Sequence, residues 1–183
     1  MNQLAKDVCT EGLFSALAEV LEYYSGDEVT IKHANCDSLA AVFNETIECP
    51  TSGCETIASF TRLDGPGVSG SLSLTSHACV IAKLGGQDME LASDWIGELG
   101  NQLLGRFKNN LLDYGVSTDL GIPLTSRGIL LNSTTSPGDQ LDLKVETAAG
   151  NIWVTFVLQV GYDHRWRKLP QAASAAAGSV QLF

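Results

Sequence analysis

No stretch of this 183-residue sequence approaches the run of about 18 apolar residues that a membrane-spanning helix needs, so no membrane insertion is expected. Met1 is followed by "NQLAKDVCTEGLF", with acids early and no continuous apolar core, so no targeting signal is expected either. Basic residues are scarce: 11 Lys and Arg stand against 21 Asp and Glu, a formal charge of −10. Nucleic-acid binding needs a basic footprint, and this balance argues against one while leaving protein partners open. No G-x-S-x-G elbow is present and none of the 3 histidines sits in a recognisable motif, so nucleophilic triad chemistry finds no support. The cysteines are odd in number and scattered: Cys9, Cys36, Cys49, Cys54 and Cys79. Without a secretion signal they read as reduced thiols of a cytoplasmic protein.

Two patterns resemble sites and are read otherwise. His33-x-x-Cys36 with Cys49 and Cys54 could supply four zinc ligands, but the Cys-Pro-Thr-Ser-Gly-Cys spacing is at the edge of usual zinc pairs. It reads as thiols in a loop and a histidine ending a strand, and no metal site is expected. Gly65-Pro-Gly67-Val-Ser-Gly70 fits G-x-G-x-x-G but lies between two expected strands, so it reads as a hairpin loop.

What is present is regular patterning. Apolar residues at spacings of three and four predict a helix over residues 3–24. "EVTIKH" predicts a short strand, and residues 36–54 are ambiguous between a short helix and an extra strand. "ETIASFTR" and "SGSLSLTS" predict a hairpin around "LDGPGV". "HACVIAKLGG" predicts a short helix stopped by Gly85-Gly86. A long helix is expected over residues 89–114, with Gly115 as its stop. "QLDLKVET" and "NIWVTFVLQVGY" alternate at period two around "AAGN", predicting an antiparallel hairpin. Residues 1–162 read as one domain. Residues 163–183, with the basic "HRWRK" and an Ala/Ser-rich end, read as a C-terminal tail outside the core. Strands in hairpin-joined runs argue for an α+β fold with a largely antiparallel sheet, two long helices and a short one.

The long helix holds an oddity. Gly97, Gly100 and Gly105 all lie inside it, each costing roughly 1 kcal/mol against alanine. At about 100° per residue, Ile96, Leu99, Leu103, Phe107 and Leu111 share one side, flanked by Leu104 and Trp95. Gly100 falls on that buried side, where close packing explains it. The opposite side carries Asp94, Glu98, Asn101, Gly105, Lys108 and Asn109, with Glu98, Asn101, Gly105 and Lys108 forming one ridge. A glycine on this polar side leaves room for a partner to approach.

Residues 98–108, "ELGNQLLGRFK", resemble the E-x-x-N-x-x-x-G-x-x-K signature of the CheC/CheX/FliY chemotaxis phosphatases. "YGVSTDLGIPLTSRG" is similar to the proline-containing strand after that family's helix, and "GPGVSGSLSLTSHACVIAKLGG" to the hairpin and short helix before it. The likeness spans roughly residues 11–161, and the single site resembles the CheX branch. The resemblance implies hydrolysis of the aspartyl-phosphate of a response-regulator receiver domain. It implies that Glu98 pairs with the receiver's lysine and that Asn101 orients a water. Gly105, Lys108 and Asp94 would contact the partner. No cofactor is implied in this chain; Mg²⁺ would sit on the receiver. A homodimer through sheet edges is compatible with the resemblance. The alternative is a docking module on the same fold without turnover. The sequence departs from the family in three places. The first helix offers Glu11-x-x-Phe14 and Glu19-x-x-Glu22 but no Glu-x-x-Asn, so a second site is not expected. Residues 34–55 look like an insertion, and the tail is not a family feature.

Overall fold

Every third or fourth residue of the first segment is apolar, and the chain coils accordingly. The computed structural model describes residues 3–34, 54–127, 139–161 and 166–168. In it, helix α1 spans Gln3–Ser25 and buries a stripe that includes Leu13, Leu17, Val20 and Leu21. Strand β1 (Thr30–His33) follows. Strands β2 (Thr56–Asp64) and β3 (Val68–His77) form an antiparallel hairpin, pairing Thr56 with His77 and Asp64 with Ser69. The glycines of residues 65–67 form its loop, so the G-x-G-x-x-G pattern has no helix N-terminus behind it.

Helix α2 (Ala78–Gly85) ends at Gly86, in the left-handed region at φ 60°. The Gln87 N–H donates to the Ala82 carbonyl at 2.9 Å and the Gly86 N–H to that of Lys83 at 3.3 Å, a Schellman stop. The expected long helix begins with a 3-10 turn at Met89–Leu91, and its α-helical part, α3, spans Ala92–Leu112. It stops the same way, with Gly115 at φ 72° and the Val116 N–H donating to the Leu111 carbonyl at 3.2 Å. Strands β4 (Asp119–Leu120) and β5 (Leu124–Arg127) both pair with β2, separated by the segment that holds Pro123. Strands β6 (Asp139–Thr147) and β7 (Gly150–Val160) make the second hairpin, with Ala148 and Ala149 at its turn.

The strands form one antiparallel sheet in the order β1-β6-β7-β3-β2-β4, with β5 also on β2. This is the expected α+β arrangement. Leu74, Val154 and Leu143 stand abreast across β3, β7 and β6, as do Leu72, Phe156 and Leu141. Their side of the sheet carries the long helices: the Phe107 ring of α3 meets Phe156 edge-on at 5.1 Å. The core between helices and sheet holds Leu13, Leu17, Leu72, Leu74, Leu99, Leu103 and Phe107, each at most 1% exposed.

One expectation falls outside the described residues, and one part of another meets the structure differently. The suggested insertion falls largely on residues 35–53, outside the described residues, so Cys36 and Cys49 lie outside as well. His33 and Cys54 are described: His33 ends β1, and Cys54 stands two residues before β2. Three strands separate β1 from β2, which at about 4.8 Å per step is too far for one ion. Trp166 lies within the residues expected to form a tail outside the core, yet it is 5% exposed, part of the core cluster, and 6.4 Å from the Tyr114 ring. An indole gains too much from burial to remain in water when a hydrophobic socket is within reach.

Candidate functional site

Helix α3 lies on β2, and its glycines set how closely. A Cβ at Gly100 would meet Ser59 Oγ and Thr61 Oγ1 at 3.4 Å and Leu74 Cδ1 at 3.7 Å. The facing β2 side chains are small and buried, so backbone and sheet approach one another there. A Cβ at Gly97 would meet Thr125 Cγ2 at 3.0 Å, so the β4–β5 segment leans on the helix at that point. Among the described residues, a Cβ at Gly105 would meet nothing within 4 Å. Packing among the described residues accounts for Gly97 and Gly100 and does not account for Gly105.

The predicted buried face is the observed one: Ile96, Leu99, Leu103, Leu104, Phe107 and Leu111 are all 0% exposed. Helical geometry then brings the ridge to the surface on the opposite side. Asp94 and Glu98 are exposed; Asn101, Gly105 and Lys108 are half-buried. Glu98 and Asn101, three residues apart, have Cβ atoms about 5–6 Å from each other, close enough to face one partner. Asp94 stands one turn before Glu98.

Helix α1 runs antiparallel beside α3. Asn110 Nδ2 donates to the Gly12 carbonyl at 3.0 Å, and Arg106 lies 3.9 Å from Glu19. Between the two helices opens a groove of about 540 Å³, lined by Tyr23 and Glu19 on one side and by Gln102, Gly105 and Lys108 on the other. Gly105 and Lys108 therefore rim this groove, while Glu98 and Asn101 continue the ridge above it. On the other flank, Ile122 and Leu124 bracket Pro123 and are exposed apolar side chains.

The carboxylate of Glu98 is held. Gln102 Nε2 donates to Glu98 Oε1 at 3.0 Å, and Tyr24 OH donates to Gln102 Oε1 at 2.7 Å. Sequence reading missed both partners. The Glu98–Gln102 spacing of four is a legible signal; Tyr24, 78 residues from Gln102, left none. Among the described residues no hydrogen bond engages the Asn101 amide. Among the same residues no group of three or more His, Cys, Asp or Glu could hold a metal ion, and no helix is long and apolar enough to cross a membrane. Chemically, the ridge offers a fixed negative charge and an amide able both to donate and to accept.

No protein-family model matches the sequence, and no curated protein matches it. Solved structures do. A CheC-like superfamily protein from Shewanella sp. PV-4 is similar at TM-score 0.62 and 19% identity, over 83% of this chain and 97% of its own. The chemotaxis protein CheX from Vibrio vulnificus is similar at TM-score 0.62 and 16% identity, over 82% and 96%. A chemotaxis protein CheX from Desulfovibrio desulfuricans is similar at TM-score 0.57 and 18% identity, over 82% and 99%. At these identities the likeness is one of fold: the chain has the fold of CheC-like and CheX proteins over most of its length.

Proposed function

We propose, with the CheC/CheX-like fold as premise, that this chain ends two-component signals by hydrolysing the aspartyl-phosphate of a response-regulator receiver domain. The observation that carries the reading is one surface ridge that presents a held carboxylate, Glu98, beside Asn101, whose amide takes part in no hydrogen bond among the described residues.

An aspartyl-phosphate is an acyl phosphate and already activated, so catalysis is mostly positioning and charge neutralisation. The receiver brings a lysine and its own Mg²⁺. What it lacks is a group that places the water. The Asn101 carbonyl accepts a hydrogen bond from the water, and its NH₂ donates to a phosphoryl oxygen. A carboxylate in that place would repel the phosphoryl group. The water oxygen bonds to phosphorus as the bond to the aspartyl oxygen breaks. The receiver carboxylate leaves with the electron pair, and the proton goes to phosphate and solvent. Glu98 anchors the receiver's lysine through a charge-assisted hydrogen bond. Gly105 gives the partner room, while Lys108 and Asp94 meet its rim. This reading takes the cytoplasm as the protein's location and asks for no cofactor in this chain; a homodimer through sheet edges is compatible with it.

The test is phosphate release from a purified, phosphorylated receiver of the same organism. Wild type should speed release well above the receiver's own rate. Asn101→Ala should lower kcat by about 100-fold, roughly 3 kcal/mol of positioning, with receiver affinity retained. Glu98→Ala should act chiefly on KM. A wild type that binds the receiver without hastening phosphate loss would make the ridge a docking surface and the chain a non-catalytic module.

A further inference from the structure

A glutamate on a helix surface samples many rotamers, and a partner that needs one of them must wait for it. Glu98 is exposed, yet its carboxylate is tied through Gln102 to the other long helix. Polarity fixes the order of that chain. The Gln102 NH₂ faces the carboxylate, which can only accept, so its carbonyl faces the Tyr24 hydroxyl, which donates. A flipped amide would set oxygen against oxygen. Tyr24 is itself confined, since its ring meets Trp95 edge-on at 4.9 Å and Tyr23 at 4.9 Å. Trp95 in turn covers Gly85 so closely that a Cβ there has no room. Each link is locked by the next.

We propose that Tyr24 and Gln102 are positioning residues that hold the Glu98 carboxylate ready for the receiver's lysine. This rests on the phosphatase reading and adds to it a part of the site supplied by α1. Preorganising the anchor lowers the ordering cost of docking; it leaves the water and the phosphoryl group untouched. The relay therefore acts on KM and not on kcat.

Two measurements test it. The first is receiver dephosphorylation across receiver concentrations for wild type, Tyr24→Phe, Gln102→Leu, Glu98→Ala and the Tyr24→Phe/Glu98→Ala double variant. Tyr24→Phe keeps the ring and its edge contacts and removes only the hydroxyl. It should raise KM about threefold to tenfold, the range of one hydrogen bond, with kcat within about twofold of wild type. In the Glu98→Ala background it should add nothing, because the group it positions is gone. A cross-helix pin with no bearing on docking would leave KM alone, or would add its effect in the double variant; either result overturns the proposal. The second measurement is NMR relaxation of the Gln102 side-chain amide in the free protein. The amide should be ordered in wild type and loosened in Tyr24→Phe. Equal mobility in both overturns the relay whatever the activity. An ordered amide in a protein that neither binds nor dephosphorylates any receiver sinks the phosphatase reading while the hydrogen-bonded relay stands. Normal turnover with an unchanged KM in Tyr24→Phe sinks the relay alone.

Discussion

Gly105 and Gly100 are the same residue in the same helix with opposite reasons for being there. Gly100 sits 3.4 Å, by its missing Cβ, from two hydroxyls of β2, whereas no described residue comes within 4 Å of a Cβ at Gly105. Gly105→Ala should therefore raise unfolding free energy by about 0.5–1 kcal/mol in urea titrations, the helix-propensity gain with no clash to offset it. Gly105→Arg should keep the fold intact and, on the proposed phosphatase reading, raise KM for the receiver at least tenfold by filling the space that reading leaves for the partner. Destabilisation by Gly105→Ala would mean that the glycine serves the fold after all. At this scale the sequence spoke clearly about Glu98 and Asn101, because helical spacing alone puts them on one ridge. It could not speak about Tyr24, which reaches Gln102 only because α1 and α3 pack side by side.

Among the elements, those with local signals were readable. Both glycine-stopped helices end where expected, because a left-handed residue that satisfies the last carbonyls is encoded within a few positions. The two hairpins follow from period-two alternation and short turns. The edge strand β1 is a different case, since its four residues pair with β6 across more than a hundred positions of chain. There Lys32 donates to Glu146 at 2.6 Å, with Lys144 at 3.5 Å from the same carboxylate. The hydrogen bond from Lys32, ahead of the charges of both lysines, holds the Glu146 carboxyl below its ordinary value. A lowered carboxylate pKa stabilises the fold above the ordinary glutamate range, and that contribution is lost as pH falls through the lowered value. Hydrogen-exchange protection of the β1 amides should thus be lower at about pH 3 than at about pH 6, on either side of the usual glutamate pKa. In Lys32→Met the protection should change less with pH. Equal pH dependence in both proteins would assign the acid sensitivity elsewhere.

Across the whole molecule the two halves answer each other. Exchanging α1-β1-β2-β3 with α3-β5-β6-β7 maps the order β1-β6-β7-β3-β2-β5 onto its own reverse, with β1 on β6 matched by β5 on β2. The strand order is thus a pseudo-two-fold arrangement, in which α1 is the counterpart of α3. Only α3 carries a Glu-x-x-Asn. In α1, Glu11 is followed three on by Phe14, whose ring packs against His33 at 5.7 Å. The counterpart helix contributes instead through Tyr24, at its last turn. The chain beyond β7 also returns to the domain at Trp166. Trp166→Ala should cost about 3 kcal/mol or more in thermal or urea unfolding, as for other buried tryptophans. A cost under about 0.5 kcal/mol, the size of a surface change, would mean that the indole is not part of the folding unit.

Local chemistry alone determined the fold class, the helix stops, the hairpins and the ridge of Glu98, Asn101, Gly105 and Lys108. Each depends on spacing within a dozen residues, where backbone geometry dictates which side chains share a face. Tertiary structure decided what those side chains meet. It separated His33 from Cys54 by three strands, put Gly97 under the β4–β5 segment, drew Trp166 to Tyr114 and set Tyr24 behind Gln102. Such contacts join residues far apart in the chain, so they depend on which surfaces bury best together, and no local pattern carries that information.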